Sequence, residues 1–180
     1  MTPSAYTTLA VGMSEVVTYS YDVEDGNGGS VAQTASVTIN GVNDAPVAGN
    51  DVAATDEDTA ININVLSNDN AIDMGDTLSV SVAGTSAQGA SLSVNVDGTI
   101  NYNPVGSAAL QALNTGQSVT DSFLYNVSDG HGGIAQATVN VTVAGDNDGP
   151  NASNDSASTN EDATGVFIDV LANDAGFSGG

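Results

Sequence analysis

The chain aligns with itself. Tyr19-Ser-Tyr-Asp-Val-Glu-Asp25-Gly-Asn-Gly-Gly29 lies over Phe123-Leu-Tyr-Asn-Val-Ser-Asp129-Gly-His-Gly-Gly133 without a gap, at an offset of 104 (123 − 19). Val37-Thr-Ile39 meets Val141-Thr-Val143 in the same frame, and Pro46 meets Pro150. Beyond the prolines, Asn50-Asp51, Glu57-Asp58 and Val65-Leu66-Ser67-Asn68-Asp69 meet Asn154-Asp155, Glu161-Asp162 and Val170-Leu171-Ala172-Asn173-Asp174. One residue inserted near Gly165 shifts the last match to 105 (170 − 65). Self-similarity at a fixed period means tandem units that meet end to end. The spacing divides the sequence into the C-terminal part of one repeat (1–46), a complete repeat (47–150) and the N-terminal part of a third (151–180).

Inside the complete repeat the apolar period is 2, which is the period of a half-buried strand. Ile61, Ile63 and Val65 share a face over Ala60 to Leu66. Leu78, Val80 and Val82 share one over Thr77 to Ala83, and Leu92, Val94 and Val96 alternate up to Asp97-Gly98, followed by Ile100 and Tyr102. An Asp-Gly pair between alternating runs predicts a hairpin with a type I′ turn. Leu110 and Leu113, three apart within Ser107 to Leu113, predict one short helical turn. Val119 to Val127 and Ile134 to Val143 form a final pair joined by Asp129-Gly-His-Gly-Gly133. About seven strands in ~100 residues predict an all-β, Greek-key sandwich of two sheets. Tyr19, Tyr21, Phe123 and Tyr125 alternate on the late strand and are expected to pack in cores or pair across strands. His131 stands where the other copy has Asn27, and an αL-tolerant turn residue accounts for both.

The charge excludes whole classes of function. There are 22 acidic residues, no Lys or Arg, one His and a net charge of −22. No side chain here can neutralise phosphates, so nucleic acid is excluded as a partner. No apolar run reaches the ~18 residues of a membrane span, so no membrane insertion is expected. Met1 is followed by neither a basic nor an apolar run, so no signal peptide is expected in this stretch. Catalysis is not expected either, since no nucleophile–base pair is visible and the single His is alone.

Three acidic clusters recur in phase with the repeat. The first is the joint, Asn43-Asp44 and Asp146-Asn147-Asp148. The second is Asp56-Glu57-Asp58 with Glu161-Asp162, and the third is Asn68-Asp69, Asp73 and Asp76 with Asn173-Asp174. With no basic residue to pair with, these oxygens call for a hard cation. Calcium takes six to eight oxygen ligands from carboxylates, amides and backbone, and no Cys or His cluster points to a softer metal. Asp22, Asp97 and Asp121 read instead as ordinary turn and cap residues.

The end of each repeat, an alternating strand closing in Asp146-Asn-Asp-Gly-Pro150, resembles the end of a cadherin repeat. Val65-Leu-Ser-Asn-Asp69…Asp73-Met-Gly-Asp76 resembles the Asp-rich loop of cadherin-like domains. Tyr102, Pro104, Leu113, Gly116, Thr120-Asp121, Phe123, Tyr125, Val127 and Asp129-Gly130 follow a pattern that resembles VCBS and cadherin-like repeats in large secreted, RTX-type bacterial adhesins. The resemblance implies Ca²⁺ shared between neighbouring repeats: Asn43 and Asp44 with Asp69, Asp73 and Asp76, and Glu57 with Asp146, Asn147 and Asp148, with Asp58 and Glu161 in the same clusters. It also implies an extracellular, cell-surface extender that meets neighbouring repeats or copies of itself, with a surface protein or glycan as a further ligand. A filament in which half-repeats of neighbouring molecules complement each other by strand exchange is the alternative expectation.

Overall fold

The computed structural model describes residues 6–150 and 152–174. Residue 151 and the outermost stretches of the two partial repeats, including the Met1–Ala5 segment read above for an export signal, lie outside the described residues. Among the described residues nine strands follow in order: β1 (Ser14–Glu24), β2 (Ser30–Asn40), β3 (Asp51–Asp56), β4 (Ile61–Ile63), β5 (Ser79–Val82), β6 (Ser91–Val94), β7 (Ile100–Asn103), β8 (Ser118–Ser128) and β9 (Ile134–Ala144). Seven of them, β3 to β9, build a sandwich from a four-stranded sheet, β3-β9-β8-β5, and a three-stranded sheet, β4-β7-β6. β3 runs parallel to β9, and the other pairs are antiparallel.

Alternation along β8 and β9 turns Asp121, Phe123, Tyr125 and Val127 inward against Ala137, Val139, Val141 and Val143. From the facing sheet come Ile63, Leu92, Ile100 and Tyr102, with Val65 and Leu110 closing the ends. Tyr102 and Phe123 stack across the sandwich with ring centroids 6.2 Å apart. The Val- and Thr-rich strands suit this half-buried pleated surface, where branched side groups pack on neighbours.

The repeat seen in the sequence is also a repeat in register. β1 and β2 pair from Ser14↔Asn40 to Glu24↔Ser30, and β8 and β9 from Ser118↔Ala144 to Ser128↔Ile134, each 104 residues on. Asp25 Oδ1 accepts the N–H groups of Asn27 and Gly29, as Asp129 Oδ1 accepts those of His131 and Gly133. Gly49 N donates to Asp69 Oδ1 (2.7 Å) and Ser153 N to Asp174 Oδ1 (2.6 Å), so the loop of the complete repeat recurs locally at 152–174.

Several expectations change on the way. The strand expected over Ala60 to Leu66 stops at Ile63. Val65–Asn68 coils into a 3-10 turn that keeps Val65 buried and lets Asn68 Nδ2 reach Asn50 O at 3.0 Å. Val96 is fully exposed, because Gly98 N bonds Asn95 O (3.0 Å) in a turn whose one positive φ, +85°, is at Gly98. With Asn95 N on Thr99 O (2.8 Å), this is a type I turn closed by a glycine bulge, not type I′. No non-glycine among the described residues has a positive φ, so His131 is not left-handed; Gly130 and Gly132 on either side take that role. The helical turn at Ser107 is present, with Gln111 N on Ser107 O at 2.9 Å. Phe123 and Tyr125 are core residues as expected, but Tyr19 and Tyr21 are 52% and 51% exposed, since among the described residues no second sheet covers the β1–β2 hairpin.

Candidate metal centre at the repeat joint

The joint at 41–46 is held from both sides. Gly41 N donates to Met13 O (2.9 Å), with its backbone so close to Ala10 that an added Cβ would stand 2.8 Å from the Ala10 carbonyl carbon. On the other side Asp44 N donates to Asp73 Oδ2 (2.8 Å), Met74 N to Thr8 O (3.0 Å), and Val47 exchanges backbone hydrogen bonds with Asn70. Asn43 Nδ2 donates to Asp129 Oδ2 at 2.9 Å. Asp129 can only accept, so the amide must point its nitrogen there and its oxygen the other way. That oxygen, Asn43 Oδ1, is buried without a donor, as are Asp73 Oδ1 and Asp76 Oδ2. The other Asp76 oxygen lies 3.0 Å from His131 Nδ1. The Asn43 amide, with the N–H groups of His131 and Gly133, holds the Asp129 carboxyl below its ordinary range.

The far end of the repeat shows the same shortage of donors. Glu57 is wholly buried. Its N–H donates to Ala144 O (3.0 Å), its Oε1 accepts Asp146 N (2.7 Å), and its Oε2 has no partner. Gly145 N bonds Gln117 O (2.9 Å), the counterpart of Gly41 on Met13. A Cβ on Gly145 would stand 2.8 Å from Leu113 Cβ and closer still to Asn114 O, whereas Gly149 has nothing within 4 Å. Gly145→Ala is therefore expected to cost about 1–3 kcal/mol by overpacking, read as a lower urea midpoint, while Gly149→Ala leaves it unchanged.

Not every residue of the expected set arrives at these ends. Asp69 bonds Gly49 N and the Tyr125 hydroxyl (3.2 Å to each carboxylate oxygen) rather than Asn43 or Asp44. Tyr125 OH also meets Asp51 Oδ2 and Gly49 O, both at 2.9 Å. Burial pushes the Tyr125 hydroxyl pKa far up, and Asp51 and Asp69 push it further; burial likewise raises Asp51. Asp58, Asp148 and Glu161 are exposed, and Asn147 N turns back onto Asp146 Oδ1. Asp121, read above as a turn or cap residue, is wholly buried in β8. Asp97 does act as a turn residue, accepting both the N–H and the hydroxyl of Thr99.

Asp129 is the residue of the joint that the acidic clusters did not single out. Its signal was its place in both copies, as Asp25 and Asp129, ahead of the same Gly-rich turn. Among the described residues no three carboxylate or imidazole groups converge closely enough to cage an ion alone. An oxygen-seeking ion here would draw on amide and backbone carbonyls too, as calcium does. Donor-free oxygens at both ends of one sandwich fit such an ion, and no Lys or Arg exists to take its place.

A family model, the bacterial cadherin-like domain, matches residues 43–145. The chain belongs to this family. The match runs from the first joint to the second and takes in the sandwich β3 to β9. None of the curated proteins compared matches the sequence. Among solved structures, similarity extends to the protocadherin gammaB7 EC3-6 cis-dimer structure, at TM-score 0.46 and 17% identity, covering 81% of this chain and 36% of that one. Mouse clustered PcdhgC3 EC1-3 gives 0.39 and 17%, covering 77% and 44%. The endo-fucoidan hydrolase MfFcnA9 of glycoside hydrolase family 107 gives 0.33 and 16%, covering 72% and 22%. The chain thus spans less than half the length of each of these three structures.

Proposed function

We propose that the chain is a calcium-stiffened extender segment of an extracellular bacterial adhesin or matrix fibre. The observation that carries the reading is the set of four buried, donor-free oxygens: Asn43 Oδ1, Asp73 Oδ1 and Asp76 Oδ2 at one end of the cadherin-like repeat and Glu57 Oε2 at the other. Asn43, Asp44, Asp73 and Asp76, with Asp129 beside them, would hold calcium at the first joint; Glu57 and Asp146 would do so at the second, with Asn147 and Asp148 next to it. The ion supplies the positive charge that the sequence lacks, and the protein's own contribution is to bring acceptors from both sides of a joint together. Asp44 N on the Asp73 carboxylate and Met74 N on Thr8 O already tie residues from the two sides of that joint together.

Without ions, self-repulsion of −22 charges opposes compact joints. With ions, neighbouring repeats share ligands and the angle between them is fixed. Extracellular modules bind calcium at ~0.1–1 mM, so the stiffening belongs outside the cell. No described helix is long and apolar enough to cross a membrane. Small-angle scattering in millimolar calcium and then in chelator tests the reading: the maximum dimension is expected to lengthen and sharpen with calcium, and a profile indifferent to both additions would sink it.

A further inference from the structure

Asn-Gly occurs twice in the sequence, at Asn27-Gly28 and Asn40-Gly41, just before and at the end of the same strand β2. The two pairs sit in opposite backbone settings. Asn27 is exposed at the tip of the β1–β2 hairpin, between Gly26 at φ +73° and Gly28 at φ +94°. Asp25 Oδ1 accepts the N–H of Asn27 (2.8 Å) and that of Gly29 (2.9 Å). Among the described residues the N–H between them, that of Gly28, has no hydrogen-bond partner, and nothing lies within 4 Å of where a Gly28 Cβ would be. Asn40, by contrast, is paired with Ser14 in the sheet, and Gly41 N is held on Met13 O at 2.9 Å with Ala10 packed against it.

We propose that Asn27 is a self-modifying site that loses its side-group amide through Gly28. The Gly28 nitrogen attacks Asn27 Cγ, forming an N–C bond and closing a five-membered succinimide. The bond between Asn27 Cγ and Nδ2 breaks, and ammonia leaves with the proton given up by Gly28. Water then opens the ring at either carbonyl, giving an ordinary aspartyl residue or a β-linked one whose backbone is one carbon longer. The net change is hydrolysis of an amide, with no oxidant and no enzyme. A free attacking nitrogen and a following residue without Cβ are what the step requires. The fold supplies both at Asn27 and withholds the nitrogen at Asn40.

The position gives the change a consequence. The counterpart of Asn27 is His131, whose ring meets Asp76, and the counterpart of Gly29 is Gly133, whose added Cβ would stand 2.8 Å from Ala45 Cα. This tip is therefore the part of a repeat that meets the acidic loop and the joint in front of it. Amide loss there takes the net charge from −22 to −23 and places the new carboxylate on the joint-facing tip.

The test is to hold the folded protein at mildly alkaline pH and follow the two sites by peptide mass spectrometry. Thermolysin digestion serves, because it cuts before apolar residues such as Val31 and Val37 that lie between the two sites, whereas trypsin finds no Lys or Arg and chymotrypsin no aromatic residue or leucine between them. The Asn27 peptide is expected to gain the mass of an NH2-to-OH exchange and to split into two chromatographic isomers. Asn40 is expected to change on the order of 5- to 30-fold more slowly, since its glycine must first leave a hydrogen bond and a paired strand. In urea the two rates are expected to converge. Equal rates in the folded protein overturn the proposal, as does a difference that persists undiminished in urea, which would place its cause in the sequence alone.

Discussion

Adding calcium to the ion-free protein is expected to raise the thermal midpoint of the cadherin-like repeat, and chelation to return it to its starting value. An ion that binds the folded state alone stabilises it by RT ln(1 + [L]/Kd), about 1.4–2.7 kcal/mol at roughly 10–100 times Kd. For a domain of this size each kcal/mol moves the midpoint about 4–8 °C, so a gain on the order of 6–20 °C follows. Asp73→Asn and Asp76→Asn then separate a ligand from a structural carboxylate. Each of these side groups places one oxygen in a buried position with no donor, which disfavours the ion-free fold. The amide keeps an oxygen to accept Asp44 N or face His131, but it carries no charge. Without calcium the Asn variants are therefore expected to be as stable as the parent or more so; with calcium most of the gain disappears. A purely structural pair would give the opposite result, with both variants weaker in chelator and the calcium gain intact. That result, or a midpoint unmoved by calcium, sinks the metal reading. Glu57→Gln tests the other end by the same logic, because Oε1 still accepts Asp146 N through a neutral side group.

What could be read from the sequence was whatever depends on period and copy. Alternation placed Phe123 and Tyr125 in the core, and the 104-residue offset foresaw that β1–β2 repeats the register of β8–β9. What could not be read depended on residues far apart in sequence. Tyr19 and Tyr21 carry the same pattern as Phe123 and Tyr125, but burial needs a facing sheet, and the hairpin's own residues cannot say whether one is there. Val96 continues an alternating run into a turn because hydrogen bonding between Asn95 and Thr99 closes the hairpin one pleat early. Asp69 and Asp73 sit in one acidic cluster, yet the 3-10 turn sends Asp69 beneath Tyr125 while Asp73 faces the joint. Asp129 and Asn43 are 86 residues apart, and only folding brings amide to carboxylate.

Asp121 carries the largest expected loss of stability in the molecule. Its Oδ2 accepts the Tyr102 hydroxyl at 2.8 Å and the Ser86 hydroxyl, and its Oδ1 accepts the N–H of Gln88 (2.8 Å) and its neighbour Ser122 (2.7 Å). Ser86 Oγ in turn accepts Ala90 N at 2.9 Å, and Ala87 N reaches Ser122 O at 2.9 Å. One wholly buried carboxylate thus ties the β5–β6 connection and a core tyrosine of the opposite sheet to strand β8. Burial raises the Tyr102 hydroxyl pKa, and the hydrogen bond to Asp121 raises it further, so the proton stays on the tyrosine and donates. Asp121→Ala removes the acceptor shared by all four donors, and a buried donor left unpaired costs about 1–3 kcal/mol. Some of these groups regain water, so the expected loss is about 3–5 kcal/mol, at the upper end for a single substitution. Domains of this kind have about 5–15 kcal/mol in all, so the urea midpoint should fall by about a fifth or more. Adding Tyr102→Phe to Asp121→Ala is expected to cost less than the sum of the two single changes, because the unpaired hydroxyl goes with its partner. The calcium gain in midpoint should survive in Asp121→Ala, since its bonds lie within the sandwich and not at Asn43, Asp73 or Glu57. A loss below about 1 kcal/mol would mean that water replaces the carboxylate at every donor, and that the β5–β6 connection is held by its own backbone.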